Sequence, residues 1–420
     1  VIFRFSLYGF LKNQRYFEPF LFLAFLEKGL DFTQIGLLIA VRELTTTVLE
    51  IPSGAVADVF GRRLSMMLSF CAYIVSFLLF GFAVDTWLLY AGMLLYGVGE
   101  AFRTGTHKAM IFAWLRDRGR EQERLRVYGY TRSWSKFGSA ASVLLAAPIV
   151  LFSDSYEWIF FAAIPPYALN LINFFGYPRD LDEAHEQQRS PGQVMRQIRR
   201  TLAGAAGRPR LRRLFLESMG FDGVFAATKD YLQPVLEALA ISIAAAWLAS
   251  DDLSDIQRSA LLVGPVYFLL HLLSGVASRW SHRVSDASGG EDRVARRLWA
   301  GSVLVFALLT AAGLFGVLIG AVAAFVTLHV LHNLWRPVLI SRMDEHGSGI
   351  QGASLLSVES QARRVATMIV APLLGYAVDL ATAAGSPGPW WPVGGVGLAC
   401  SLVFLVTARA RYPNTASTGM

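Results

Sequence analysis

Gly54-Ala55-Val56-Ala57-Asp58-Val59-Phe60-Gly61-Arg62-Arg63 sits between two long apolar segments, and its reading decides the fold. It reads as a tight cytoplasmic loop joining two membrane helices. Gly54 and Gly61 permit a close turn. Asp58 can accept bonds from a helix N-terminus or an arginine, and Arg62 with Arg63 holds the loop on the cytoplasmic side.

The 420 residues are 54% hydrophobic and 16% charged, with a mean hydropathy of +0.44. A soluble domain carries roughly 25% charge, so this composition excludes one and points to a polytopic membrane protein. Formal charge is +7. In a soluble chain that balance would point to nucleic acid, but here the basic residues fall in alternate loops, and no nucleic acid is expected as a partner. Cys71 and Cys400 lie inside apolar segments without metal-ligand spacing and read as packing residues. The first apolar segment carries Lys12, Arg15 and Glu18, which argues against a cleavable signal peptide. A short cytoplasmic leader ahead of Val1 is expected.

Twelve apolar segments each approach the roughly 20 residues that span a bilayer as a helix. They cover 4–28, 32–52, 64–84, 87–110, 128–151, 156–177, 213–238, 259–279, 298–318, 319–341, 352–374 and 391–408. Between spans 9 and 10 only Gly316 and Gly320 mark a turn. One set of loops carries Arg62, Arg63, Arg116, Arg118, Arg120, Arg124, Arg126, Arg342 and the arginines of 179–213, which makes that set cytoplasmic. Both termini are then inside, in an inner (plasma) membrane protein.

Residues 178–212 divide the chain into halves of six spans, 1–177 and 213–420. Val194, Ile198 and Leu202 within that linker recur every fourth residue beside arginines, the pattern of an amphipathic helix on an anionic leaflet. Residues 239–257 read as the longest outer loop, with an apolar piece from Ile241 to Leu248 as a short surface helix. The halves repeat one another. Arg15-Tyr-Phe-Glu-Pro19 parallels Asp230-Tyr-Leu-Gln-Pro234, Glu-Ala-Phe-Arg103 parallels Asn-Leu-Trp-Arg336, and Pro148 parallels Pro372.

The spacing G-x-x-x-D-x-x-G-R-R resembles the signature between helices 2 and 3 of the major facilitator superfamily of secondary transporters, G-x-x-x-D-[RK]-x-G-R-[RK]. Val59 stands where that family usually has a basic residue. The resemblance implies an all-α polytopic fold of twelve transmembrane helices in two pseudo-symmetric six-helix halves, with helices 1, 4, 7 and 10 lining a central cavity. It also implies alternating access, with the motif residues Gly54, Asp58, Gly61, Arg62 and Arg63 in gating.

Charge placement gives an independent reading. Spans 3, 6, 9 and 12 are essentially free of internal charge and are expected at the lipid perimeter. A charge at a helix centre costs about 2.5–3.5 kcal/mol on insertion scales, so charged spans face a protein interior or a wet cavity. Candidate substrate or proton ligands are Lys12, Arg15 and Glu18 in span 1; Glu43 in span 2; Glu100 and Arg103 in span 4; Asp222, Lys229 and Asp230 in span 7; and His332 and Arg336 in span 10. Helical spacing lets Arg15 pair with Glu18 and Glu100 with Arg103, and the helices carrying Glu18 and Glu100 are expected to face each other across the cavity. Arg42, Glu43 and Glu50, then Arg132 and Lys136, then Glu359, Arg363 and Arg364 read as gates on spans 2, 5 and 11.

His329, His332 and Arg336 share a helical face, yet without a Cys or a clear carboxylate partner no metal or other cofactor is expected. Nor is an enzyme: there is no G-x-x-x-x-G-K-[ST] loop for an ATPase. The expected function is proton-coupled secondary transport, by a monomer in the lipid bilayer, of a small-molecule substrate with an anionic group. Two alternatives are a proton-driven exporter recognising cationic drugs through Glu18 and Glu100, and a non-transporting receptor or scaffold. Gly138 to Pro148 lacks the G-P-x-x-G-G pattern of many drug exporters, which weighs against the first.

Overall fold

The first apolar span is two helices. In the computed structural model, which describes residues 1–178, 181, 192, 196, 207–247, 253–288, 291–344 and 350–409, helix α1 (Ile2–Lys12) ends well before α2 (Leu21–Glu27) begins. The intervening turns contain Pro19, which lacks an amide donor and disfavours helical geometry in the residue before it. Span 7 stays helical throughout but changes pitch near the matching place. It comprises α9 (Pro209–Ser218), a π turn (Met219–Gly223), α10 (Val224–Thr228), a 3-10 turn (Lys229–Tyr231) and α11 (Leu232–Trp247). The repeated Tyr-x-x-Pro strings therefore fall at irregular backbone in each half, Tyr16 to Pro19 at a helix break and Tyr231 to Pro234 where a 3-10 turn passes into α-helix.

The other helices are α3 (Phe32–Phe60), α4 (Arg62–Phe82), α5 (Thr86–Arg103), α6 (Thr106–Asp117), α7 (Arg124–Ser153), α8 (Trp158–Phe175), α12 (Asp255–Ser288), α13 (Glu291–Leu314), α14 (Leu318–Asp344), α15 (Ile350–Ala383) and α16 (Trp391–Arg409). The described residues form no strand. Seven of the described helices are long and apolar enough to cross a membrane by length and composition alone. The turn between spans 9 and 10 falls at Gly316, at φ +67. Residues 241–247 continue α11 and form neither part of a loop nor a separate surface helix. The linker positions Val194, Ile198 and Leu202 lie outside the described residues.

The chain groups into two compact units. The first holds Val1–Leu30, Leu38–Gln197 and Ala240–Phe268, and the second holds Asp31–Leu37, Ile198–Leu239 and Leu269–Met420.

Within the first unit α4 packs on α5 through a ladder of serines. Ser65 Oγ donates to the Phe102 carbonyl (3.1 Å), Ser69 to Gly99 (2.7 Å) and Ser76 to Gly92 (2.8 Å). Small hydroxyl residues give close backbone approach and interhelical hydrogen bonds where apolar surface alone would not select a partner. The opposite face of α4 exposes Leu64, Leu68, Val75, Leu78 and Phe82, as expected of a lipid-facing stripe. Helix α1 packs on α7 through Gly9 and Gly138, where a Cβ at Gly138 would meet the Phe10 carbonyl oxygen. Asn173 donates to the Arg4 carbonyl (3.0 Å) and Asn170 to that of Tyr8 (3.4 Å), so α8 holds the other side of α1.

In the second unit α13 and α16 meet through Gly394 and Gly397, whose added Cβ atoms would strike Thr310 and Phe306. Asp379 on α15 accepts the amides of Phe32 (3.0 Å) and Thr33 (2.8 Å) and the Thr33 hydroxyl (2.5 Å). It thereby satisfies the orphan donors at the start of α3.

The motif stretch differs from the expected loop. Residues 54–60 are the last turns of α3, and the connection to α4 is Gly61 alone, at φ +97. Gly61 needs its conformational freedom; Gly54 sits mid-helix with open space around it. Asp58 is exposed near the C-terminal end of α3, so it caps no helix N-terminus there. Arg62 reaches the Ala109 carbonyl on α6 at 3.5 Å.

Candidate functional site

Each unit has a partly buried arginine at the centre of a charged cluster, Arg103 in the first and Arg336 in the second, and the two occupy equivalent places in the repeat. In the first unit Arg103, the last residue of α5, lies with Nη2 2.5 Å from Glu100 Oε2. Tyr73 of α4 donates its hydroxyl to Glu100 Oε1 (2.7 Å) and accepts from Arg103 Nε (3.1 Å). Arg15 approaches the same carboxylate at 3.6 Å. The break after α1 makes this possible, because it takes Arg15 out of the helical register that would set it against Glu18. Glu18 lies in the same non-helical connection, close enough for its field to reach Lys12 and Arg15. The stretches carrying Glu18 and Glu100 lie within one unit, and both carboxylates act on Lys12 and Arg15.

Lys12 ends α1, and its otherwise orphaned carbonyl accepts the Tyr167 hydroxyl at 3.2 Å. Beyond Arg103 the span breaks again at Gly105, at φ +79, so His107 and Lys108 belong to a separate helix, α6. His107 stacks on Tyr8 (3.7 Å between centroids), and its Nε2 lies 3.1 Å from the Tyr177 hydroxyl.

These residues border a cavity of about 360 Å³ within the first unit. Its lining includes Lys12, Arg103, Lys108, Arg132 and Lys136, and it contains no carboxylate. Helix α7 supplies one wall with Tyr128, Thr131, Arg132, Ser135, Lys136 and Ser139. Those positions follow the three- and four-residue spacing of one helical face. Arg132 and Lys136, expected as gates, therefore line this cavity.

In the second unit Arg336 of α14 donates to Asp222 (2.5 Å) and to both oxygens of Glu359 (2.6 and 3.0 Å). Ser218 also donates to Glu359, and His332 Nε2 lies 3.1 Å from Asp222. Both carboxylates are almost fully buried. The π turn at 219–223 presents Asp222, a local widening of the kind often found at functional positions. At the basic end of this unit Glu217 is flanked by Arg213 (2.6 Å) and Arg342 (2.7 Å), and Arg342 also meets Asp292 (3.0 Å).

The remaining candidates have local partners. Lys229 pairs with Asp230 at 2.7 Å, and Glu43 with its neighbour Arg42 at 2.7 Å. His329 sits 2.9 Å from the Phe325 carbonyl of its own helix. Among the described residues no three His, Cys, Asp or Glu side chains gather to hold a metal. Outside the spans, Arg120 grips both oxygens of Glu123 (2.6 and 2.8 Å) and holds that carboxyl below its usual range.

The sequence reading missed Tyr73, Tyr8 and Ser218, assigned Glu359 to a gate, and left Lys108, Arg132 and Lys136 off the list of ligands. The usable signal for α7 was its polar stripe at helical spacing, interrupting an otherwise apolar helix.

Comparison with known proteins agrees with this architecture. The profile of the Major Facilitator Superfamily matches residues 13–358. An uncharacterized MFS-type transporter, YxaM of Bacillus subtilis (strain 168), is 31% identical over 90 residues. That match spans 21% of this chain and 23% of YxaM. Among solved structures, the nucleoside transporter NupG (D323A mutant) superposes with a TM-score of 0.77 at 12% identity, over 98% of this chain and 100% of that one. A D-xylose-proton symporter gives 0.68 at 15% identity, over 100% and 99%. With a family match over most of its length and the same helical architecture, the chain belongs to the major facilitator superfamily of secondary transporters.

Proposed function

We propose that the protein moves a small solute with an anionic group across the inner (plasma) membrane, coupled to protons, by alternating access of the halves 1–177 and 213–420. The observation that carries this reading is the cavity in the first unit, lined by Lys12, Arg103, Lys108, Arg132 and Lys136 and by no carboxylate. A cationic wall with hydroxyl groups from Thr131, Ser135 and Ser139 suits an anion and repels a cation. Export of cationic drugs fits less well, because Glu100 is already engaged by Arg103, Arg15 and Tyr73. The positive-inside distribution supports cytoplasmic termini, and the chain is taken to work as a monomer.

Proton coupling is assigned to Asp222 and His332. The buried carboxylate can share a proton with an imidazole at 3.1 Å while Arg336 holds its other oxygen. A proton symporter of the same fold, the D-xylose transporter, gives this coupling a precedent within the architecture. The motif Gly54 to Arg63 serves switching between states. The test is reconstitution of the full chain in liposomes containing a pH-sensitive dye, followed by a panel of solutes. An anionic solute should change internal pH, whereas neutral and cationic solutes of similar size should not.

A further inference from the structure

We infer that the cavity beside α7 is a binding site for a dianionic group, a phosphomonoester or a dicarboxylate, and not for a single carboxylate. This rests on the anion reading above and makes it more specific. Five cations line the site, Lys12, Arg103, Lys108, Arg132 and Lys136, and Arg15 stands beside Glu100, against the two carboxylates of Glu18 and Glu100. Glu100 is committed to Arg103 and Arg15. Among the described residues Lys12, Lys108, Arg132 and Lys136 form no ion pair, and Lys108 rests instead near the rings of Phe112 and Tyr128 at 5.5 and 5.4 Å.

Four cations without an ion-pair partner, from the three helices α1, α6 and α7, converge on about 360 Å³. Like charges held this close repel one another, and a monoanion would leave most of that repulsion in place. A dianion bridging Lys12 on one wall and Arg132 with Lys136 on the other relieves it across the cavity. Arg132 and Lys136, four residues apart, rise on the same face of α7, so they can grip two oxygens of one headgroup. Tyr128 offers ring surface to the organic remainder. The same chemistry is carried by a free solute and by a phospholipid headgroup, and the free solute is the occupant inferred here.

The test measures the unfolding temperature of purified full-length protein at pH 8 and constant ionic strength, with inorganic phosphate, succinate or acetate as probes. Phosphate and succinate should raise it saturably and acetate should not. Lys136→Ala and Lys12→Gln should each weaken the apparent affinity for phosphate at least tenfold, and Lys136→Arg should restore it to within threefold. Equal protection by acetate would overturn the dianion inference while leaving the anion reading in place. Protection by no anion would overturn both. Protection by phosphatidic acid vesicles that is lost in Lys136→Ala, without any effect of phosphate, would assign the site to lipid and overturn the inference.

Discussion

The Arg103 guanidinium lies 2.5 Å from the Glu100 carboxylate, and both side chains are largely buried in the first unit. Arg15 and Tyr73 close on the same carboxylate, so Glu100 is the centre of a four-residue network. Glu100→Gln leaves Arg103 without its carboxylate partner and Arg15 with the field of Glu18 alone. Breaking a buried pair in this way costs about 3–5 kcal/mol, so the variant should unfold at a clearly lower temperature and lose gradient-driven transport and solute exchange together. Retained exchange with lost gradient drive would instead make Glu100 a proton carrier.

The reverse pattern is expected in the second unit. His332→Gln should preserve solute-for-solute exchange and abolish the response to an imposed pH gradient, because Arg336 still satisfies Asp222 in that variant. Internal-pH recordings and counterflow on the same proteoliposomes separate the two activities. Full gradient response in His332→Gln would move the coupling site elsewhere.

Asp379 holds three donors at the start of α3. Asp379→Ala should lower stability by about 1–2 kcal/mol, the range for loss of a helix N-cap. Asp379→Asn, which keeps one acceptor oxygen, should lose less. The check is the unfolding midpoint of each variant beside the wild-type protein.

Two glycines separate packing from conformational freedom. Gly138→Ala places a methyl against the Phe10 carbonyl oxygen, a backbone atom with little room to yield, and should destabilise by about 1–3 kcal/mol. Gly54→Ala adds a methyl in open space within a helix and should be neutral or stabilising by up to about 1 kcal/mol. If Gly54→Ala nonetheless slows transport, the motif glycine is required in a second conformation.

Much of the architecture was legible because hydrophobic length, loop charge and the internal repeat report on a bilayer directly. The Glu100 and Arg103 pair was legible too, since three-residue spacing on a helix brings side chains together. The helix breaks were less so. Pro19 and Pro234 were visible as a repeat, but a proline also sits inside continuous helices here, as Pro52, Pro148 and Pro372 do. Whether a given proline breaks its helix depends on neighbours that can satisfy the freed backbone groups, such as Tyr167 on the Lys12 carbonyl. Partnerships between distant segments, Arg15 with Glu100 or Arg336 with Glu359, follow from packing and leave no local trace in the chain. The motif stretch misled for a related reason: its glycines and charges read as a loop, whereas only Gly61 adopts a backbone that glycine alone accepts readily.

The most direct test of the anion-transport account is accumulation of labelled solutes by proteoliposomes under an imposed pH gradient, using anionic, neutral and cationic compounds of matched size. The account predicts that only the anionic compounds accumulate, that a protonophore collapses the accumulation, and that Lys136→Ala removes it. Accumulation of the cationic compounds with the anionic ones ignored would contradict it.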